Sequence, residues 1–180
     1  MDGFLDQLVN IAEYTKMMLP QMMEGLGVTL QVFALTLIFA IPLGILVAVC
    51  RLSRFKVLRK IMEFYILLMR GTPLLLQIIF IFFGFPILNI AIPRMPAALL
   101  AFSLNYAAYF AEIFRAGISS IDQGQYEGAE VLGLSKQDTF FRIILPQAFK
   151  RVLPPIANEV ITLVKDTALV YAVGFDDLLK

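Results

Sequence analysis

The stretch from Gly25 to Cys50 carries no charged residue. It exceeds the about 20 residues that a helix needs to cross the hydrocarbon core of a bilayer. Charge-free runs this long are rare in soluble folds, so the chain reads as an integral membrane protein. Pro42 and Gly44 lie inside the run, and both residue types are tolerated in membrane helices. Composition agrees. Of 180 residues, 59% are hydrophobic and 16% charged, against about 45–50% and about 25% in soluble domains. Mean hydropathy is +0.81. The length fits one domain, whose interior is too small to hide so much apolar surface. The surplus must face lipid or a large partner.

Three further spans are expected. The second runs from about Phe64 to Leu88, as one long helix kinked near Pro73, with Arg70 toward its inner end. Proline removes a backbone donor and clashes with the preceding turn. The third spans about residues 95–115. Glu112 and Arg115 lie three apart and can pair on one face. Its alanines, from Ala97 to Ala111, permit close helix packing. The fourth, 152–175, is apolar overall but holds Glu159, Lys165 and Asp166. Ionisable groups at membrane depth are costly and normally face a bundle interior or a wet cavity. Pro154 and Pro155 suit the first turn of that helix. Residues 1–24 form an amphipathic N-terminal segment, too charged to cross. It either lies along the membrane surface or is a loosely held tail.

Basic residues cluster in two loops. Arg51, Arg54, Lys56, Arg59 and Lys60 follow the first span. Arg115, Lys136, Arg142, Lys150 and Arg151 lie between the third and fourth. The positive-inside rule puts both loops in the cytoplasm and the N-terminus outside. The acidic N-terminus lacks the basic start of a cleaved signal peptide. Net charge is only +1, so no global field attracts nucleic acid. Histidine is absent and Cys50 is the single cysteine. The commonest metal ligand and general base is therefore missing, and neither a disulfide within the chain nor a CxxC metal site can form.

The cytoplasmic connection, 116–151, has strong local order. A short helix is expected from about Gln125 to Leu132. Gly133 suits the left-handed position that ends a helix. Ser135 can cap the next helix, with Asp138 three residues on. That second helix should run to about Leu145, where Pro146 interrupts it. A rigid element projecting into the cytoplasm suits docking better than catalysis.

The segment EGAEVLGLSKQDTFFRIILP resembles the EAA loop of ABC importer permeases. In that pattern EAA is followed by three residues, a glycine, nine residues and Ile-x-Leu-Pro. Glu127, Ala129, Gly133, Ile143, Leu145 and Pro146 fall on it in register, and Gly128 replaces the usual middle alanine. RGTPLLLQ (70–77), YFAEIFRAGI (109–118), GQYEGAEVLGLS (124–135), LPQAFKRVLPP (145–155) and KDTALV (165–170) are similar to the polar amino-acid branch of that family. The resemblance covers about residues 25–180. It implies an all-α membrane protein, a multi-span helical bundle of the type I importer permease kind. Five spans are usual there. Four are seen here, and the chain stops at GFDDLLK, where the family continues into a last helix.

The resemblance further implies a bacterial inner-membrane permease. Its partners would be a dimer of cytoplasmic ABC ATPases, a second permease and an extracytoplasmic amino-acid-binding protein. The chain itself would hold no cofactor, because ATP and Mg belong to the ATPase. This sequence has no GxxxxGK[ST] loop of its own. Glu127, Gly128, Ala129, Gly133, Leu145 and Pro146 are the implied ATPase-coupling residues. For the substrate path, the polar residues inside spans are the candidates: Asn105, Asn158, Glu159, Thr162 and Asp166. A zwitterion needs donors and acceptors, and these supply both. The competing reading is that the charges only anchor the bundle. Two other functions stand beside import by ATP. One is an ion-driven secondary transporter, whose typical inverted repeats are not visible. The other is a structural subunit without transport. An intramembrane enzyme is disfavoured, since neither histidine nor GxSxG is present.

Overall fold

The charge-free run is the C-terminal half of a single long helix. The computed structural model describes residues 2–172, and α1 occupies Asp2–Arg51 of them. At about 1.5 Å per residue, it outruns the thickness of a bilayer. The amphipathic segment is thus helical from Asp2 onward and continuous with the first span. Pro20 and Pro42 sit inside the helix without ending it.

The α1 face toward the core repeats every fourth residue: Val32, Thr36, Ala40, Gly44 and Ala48 are all buried. This row lies against α4 (Arg94–Ser119), whose Ala97, Ala98, Ala101, Ala107, Ala108 and Ala111 are also buried. Small residues on both helices let the backbones approach closely. A Cβ on Gly44 would lie 2.8 Å from Phe110 Cβ and 3.1 Å from the Ala107 carbonyl oxygen. The opposite face of α1 exposes Ile38, Phe39, Ile45, Leu46 and Val49, as a lipid-facing surface would. Down α4 runs an i, i+4 ladder of rings, Phe102, Tyr106, Phe110 and Phe114, with successive centroids 6.3, 6.3 and 6.4 Å apart.

The second span departs from expectation. It is α2 (Lys56–Gly71) and a helical stretch Leu74–Leu88 that opens with α3 (Leu74–Ile79), bent by 105°. The break is sharper than a kink because two effects coincide. Pro73 has no N–H to continue the ladder. Its ring also drives the residue before it out of the helical region, and Thr72 is extended at φ −118°, ψ 145°. Beyond α3 the chain continues as a π turn (Phe80–Gly84) and a 3₁₀ turn (Phe85–Leu88), stopping at left-handed Asn89.

The connection between the third and fourth expected spans, and the fourth span itself, also differ in detail. Helix α5 covers Gln123–Val131. After it, α6 (Lys136–Asp138) passes through a π segment (Thr139–Ile144) directly into α7 (Leu145–Asp166). Pro146 does not interrupt this run, although it lies at the start of α7 with no N–H to give to the helical ladder. Pro154 and Pro155 lie inside α7 rather than at its start. Both are exposed, as are Lys150 and Arg151, whose carbonyls they leave without a helical donor. A short α8 (Leu169–Ala172) follows. Among the described residues, two helices, Lys16–Arg51 and Arg94–Ser119, are long and apolar enough to cross a membrane. The bent pair passes the same measure only when its two arms are taken together as one span. Helix α7 does not meet that measure alone, being interrupted by its own charges, and residues 173–175 lie outside the described part.

Candidate functional site

Helix α4 is the frame on which two features are built. One is a polar cavity beside its middle, the other a helical turn beyond its end.

The cavity, about 700 Å³, lies between the α2–α3 corner, α4 and α7. Arg70 to Pro73 form one wall, Asn105, Tyr106 and Tyr109 the second, and Glu159, Thr162 and Asp166 the third. The α7 residues fall at 159, 162 and 166, spacings that keep side chains on one helical face. Ile144, Ala148, Val152 and Leu163 of the same region point into the packed core. Asp166 is oriented by Tyr106, whose hydroxyl donates to Oδ2 at 2.7 Å, and the Tyr106 ring is itself buried. The guanidinium of Arg70 lies 5.0 Å over the Tyr109 ring, a contact contributing about 0.5–1 kcal/mol where solvent reaches it. Positive and negative side chains therefore line one chamber.

Arg70 and Tyr109 also line two smaller cavities. One, of about 400 Å³, adds Glu112, Arg151 and Asn158. The other, of about 410 Å³, adds Arg51, Glu63 and Glu112. Glu112 and Arg115 pair as their spacing predicts, with Nε donating to Oε2 at 2.9 Å. Among the described residues, no group of three His, Cys, Asp or Glu side chains could hold a metal ion.

Of the five polar residues singled out from the sequence, Asn105, Glu159, Thr162 and Asp166 meet at the large cavity. Asn158 lines the adjoining one instead. The Thr162 hydroxyl donates to the Asn158 carbonyl at 3.0 Å. Arg70 and Tyr109 are additions from the structure. The signal for Arg70 was available: a charge following the apolar run of α2 should face a cavity or a partner. For Tyr109 there was none, because an aromatic in an apolar helix reads as core.

The second feature begins three residues after α4. Asp122 caps α5 by accepting from the Gly124 N–H at 2.7 Å. The helix closes with a paired C-terminal arrangement. The Leu134 N–H bonds to the Ala129 carbonyl at 3.0 Å and the Gly133 N–H to the Glu130 carbonyl at 2.9 Å. This Schellman motif requires a left-handed residue, and Gly133 supplies it at φ +73°. Ser135 then caps α6, its hydroxyl accepting from the Asp138 N–H at 3.1 Å. Ile121, Ile144 and Ala148 form a small core beneath, packed by Tyr126 and Phe140. Gln147 ties α7 to α5, donating to Gln125 Oε1 at 2.9 Å. Glu127 and Gly128 are exposed, whereas Ala129 is buried. Val131 and Leu132, at the end of α5, are 87% and 78% exposed. Leu145 and Pro146 open α7 and are exposed as well. The result is a capped, rigid turn that presents two large apolar side chains to its surroundings.

Comparison with known proteins places these features in context. Residues 40–179 match the family described as binding-protein-dependent transport system inner membrane component. The arginine transport system permease protein ArtQ of Bacillus subtilis (strain 168) is 42% identical over 163 residues, covering 90% of this chain and 74% of the relative. The L-cystine transport system permease protein TcyB of the same organism is 40% identical over 161 residues, 89% of this chain and 69% of the relative. Among solved structures, an amino acid ABC transporter crystallised with histidines superposes with a TM-score of 0.84 at 35% identity. That match covers 93% of this chain and 76% of the other.

Proposed function

This chain belongs to the family of binding-protein-dependent transport system inner membrane components, and on that premise we propose that it is the membrane-spanning permease subunit of an ATP-driven importer for polar amino acids. The observation that carries the reading is the pairing of two features on one α4–α7 frame. A chamber with both signs of charge lies beside the middle of α4, and a rigid turn with exposed apolar side chains stands beyond its end. The first suits a zwitterion in transit. The second suits a groove on a partner.

In this reading the short helix α5 docks on a cytoplasmic ATPase, which holds ATP and Mg and performs the hydrolysis. The permease makes and breaks no covalent bond. A second permease completes the path, and an extracytoplasmic binding protein delivers the amino acid. The protein resides in the bacterial inner membrane, with the basic loops inside and the N-terminus outside. Closure of the ATPases rocks the permeases between outward and inward access, a two-state element biased from a distant site. The named relatives carry arginine and cystine. Their shared polar, zwitterionic backbone is what the chamber is suited to meet.

Asp166, with one oxygen engaged by Tyr106, is the proposed acceptor for the substrate's ammonium. Asn keeps an acceptor for Tyr106 but removes the charge. A hydrogen bond to a charged group contributes about 1.5–3 kcal/mol, so Asp166→Asn should reduce uptake about tenfold to a hundredfold or shift substrate preference. Membrane insertion should stay at the wild-type level. Unchanged uptake kinetics and specificity in that variant would remove Asp166 from the path.

A further inference from the structure

Proline at position 73 has a consequence four residues earlier. In a continuous helix the Met69 carbonyl would accept from the N–H of residue 73. Pro73 has none, and the 105° break carries the next N–H groups away. A partly buried carbonyl left without a donor is costly, and the Met69 carbonyl is in such a place. Two side-chain amides fill the place. Asn105 Nδ2 on α4 donates to the Met69 carbonyl at 2.8 Å, and Gln77 Nε2 on α3 donates to the same oxygen at 2.9 Å. Gln77 also donates to the Thr72 hydroxyl at 2.7 Å and the Thr72 carbonyl at 3.2 Å. The two amides bond each other, Asn105 Nδ2 to Gln77 Oε1, at 3.1 Å. The Thr72 hydroxyl returns to the Leu68 carbonyl at 2.8 Å.

We infer that Asn105 and Gln77 are positioning residues, a two-amide latch that holds the α2–α3 corner against α4 and so sets where Arg70 stands in the substrate chamber. This role rests on the importer reading, because the corner is a wall of the proposed path. It also changes what Asn105 does. Both of its described hydrogen bonds are donations from Nδ2 into the latch, so it acts on substrate through the wall and not by contact. Gln77, from the α3 side of the break, shares its two N–H bonds among three acceptors on the α2 side, the Met69 carbonyl and the carbonyl and hydroxyl of Thr72. Such convergence is what a break needs if it is to keep one angle, since Thr72 and Pro73 alone leave the two helices joined only by single-bond rotations.

The test uses variants that keep shape and lose the donor: Asn105→Asp and Gln77→Glu. Spin labels at Val57 on α2 and Ile87 beyond α3, both exposed, report the corner in a chain with Cys50→Ser. The latch predicts a distance distribution that broadens and shifts by several ångströms in both variants. The effects should be less than additive in the double variant, as for residues sharing one network. In uptake assays KM should rise about tenfold while Vmax stays within a few-fold of wild type. A distribution equal to wild type overturns the inference. So does a raised KM without any change in the distribution, since that pattern belongs to a direct ligand. The distance measurement needs no transport. It therefore still decides the latch if the importer reading itself fails.

Discussion

Gly44→Leu is expected to leave little stably folded protein in the membrane. The added side chain would start 2.8 Å from Phe110 Cβ, 3.1 Å from the Ala107 carbonyl oxygen and 3.3 Å from the Ala111 nitrogen. Two of these three atoms are backbone and the third is fixed to it, so no rotamer change relieves the clash. The helices must separate along a row that includes Thr36, Ala40 and Ala48, all at most 2% exposed. Overpacking a close contact costs about 1–3 kcal/mol, and a backbone contact belongs at or above the top of that range. Gly27→Leu is the control, with nothing within 4 Å of its would-be Cβ. Thermal unfolding of the purified protein in detergent should show a large drop for Gly44→Leu and none for Gly27→Leu. Equal melting temperatures would remove close α1–α4 packing from the account.

The second large effect is expected at Gly133, on function and not on insertion. Its φ of +73° costs a residue with a Cβ about 1 kcal/mol or more. Nothing else stands within 4 Å of a Cβ there, so the strain comes from the backbone alone. Relief would undo the paired closure at Ala129 and Glu130 and turn the exposed Val131 and Leu132 away from their docking direction. Gly133→Asp should therefore insert normally but recover about fivefold less ATPase, or less still, in a pull-down. Substrate-stimulated ATP hydrolysis and uptake should fall together. Glu127→Lys should act in the same direction but less severely, because that side chain is exposed. Wild-type recovery and coupling in Gly133→Asp would sink the assignment of α5 as the docking helix.

Much of this architecture was legible in the residues. The charge-free run located the close of α1, and the alanines of the third span announced a helix that others could approach closely. The glycine at 133 and the serine at 135 announced their caps, because each turn has a chemistry few residues satisfy. What was not legible depended on partners distant in sequence. Pro73 read as a kink, and the amides of Gln77 and Asn105 explain how a 105° corner keeps the Met69 carbonyl satisfied. Pro146 and the Pro154–Pro155 pair read as helix boundaries, yet tertiary packing of Ile144, Ala148 and Val152 carries one helix across them. For the site, helical spacing paired Thr162 with Asp166 as found, but it paired Asn158 with Thr162 where Glu159 in fact shares their chamber. The charge of Arg70 after an apolar run marked it for a cavity or a partner, but only the corner brings it to Glu159, Thr162 and Asp166.

The central claim is that this chain carries amino acids under the drive of ATP hydrolysed by a partner. Its most direct test is uptake into proteoliposomes holding the chain with its ATPase, its partner permease and its binding protein, using a panel of labelled amino acids. Accumulation of one or more polar amino acids should require ATP, stop when hydrolysis is blocked and be insensitive to a collapsed ion gradient. Accumulation that proceeds without ATP and vanishes with the ion gradient would contradict it.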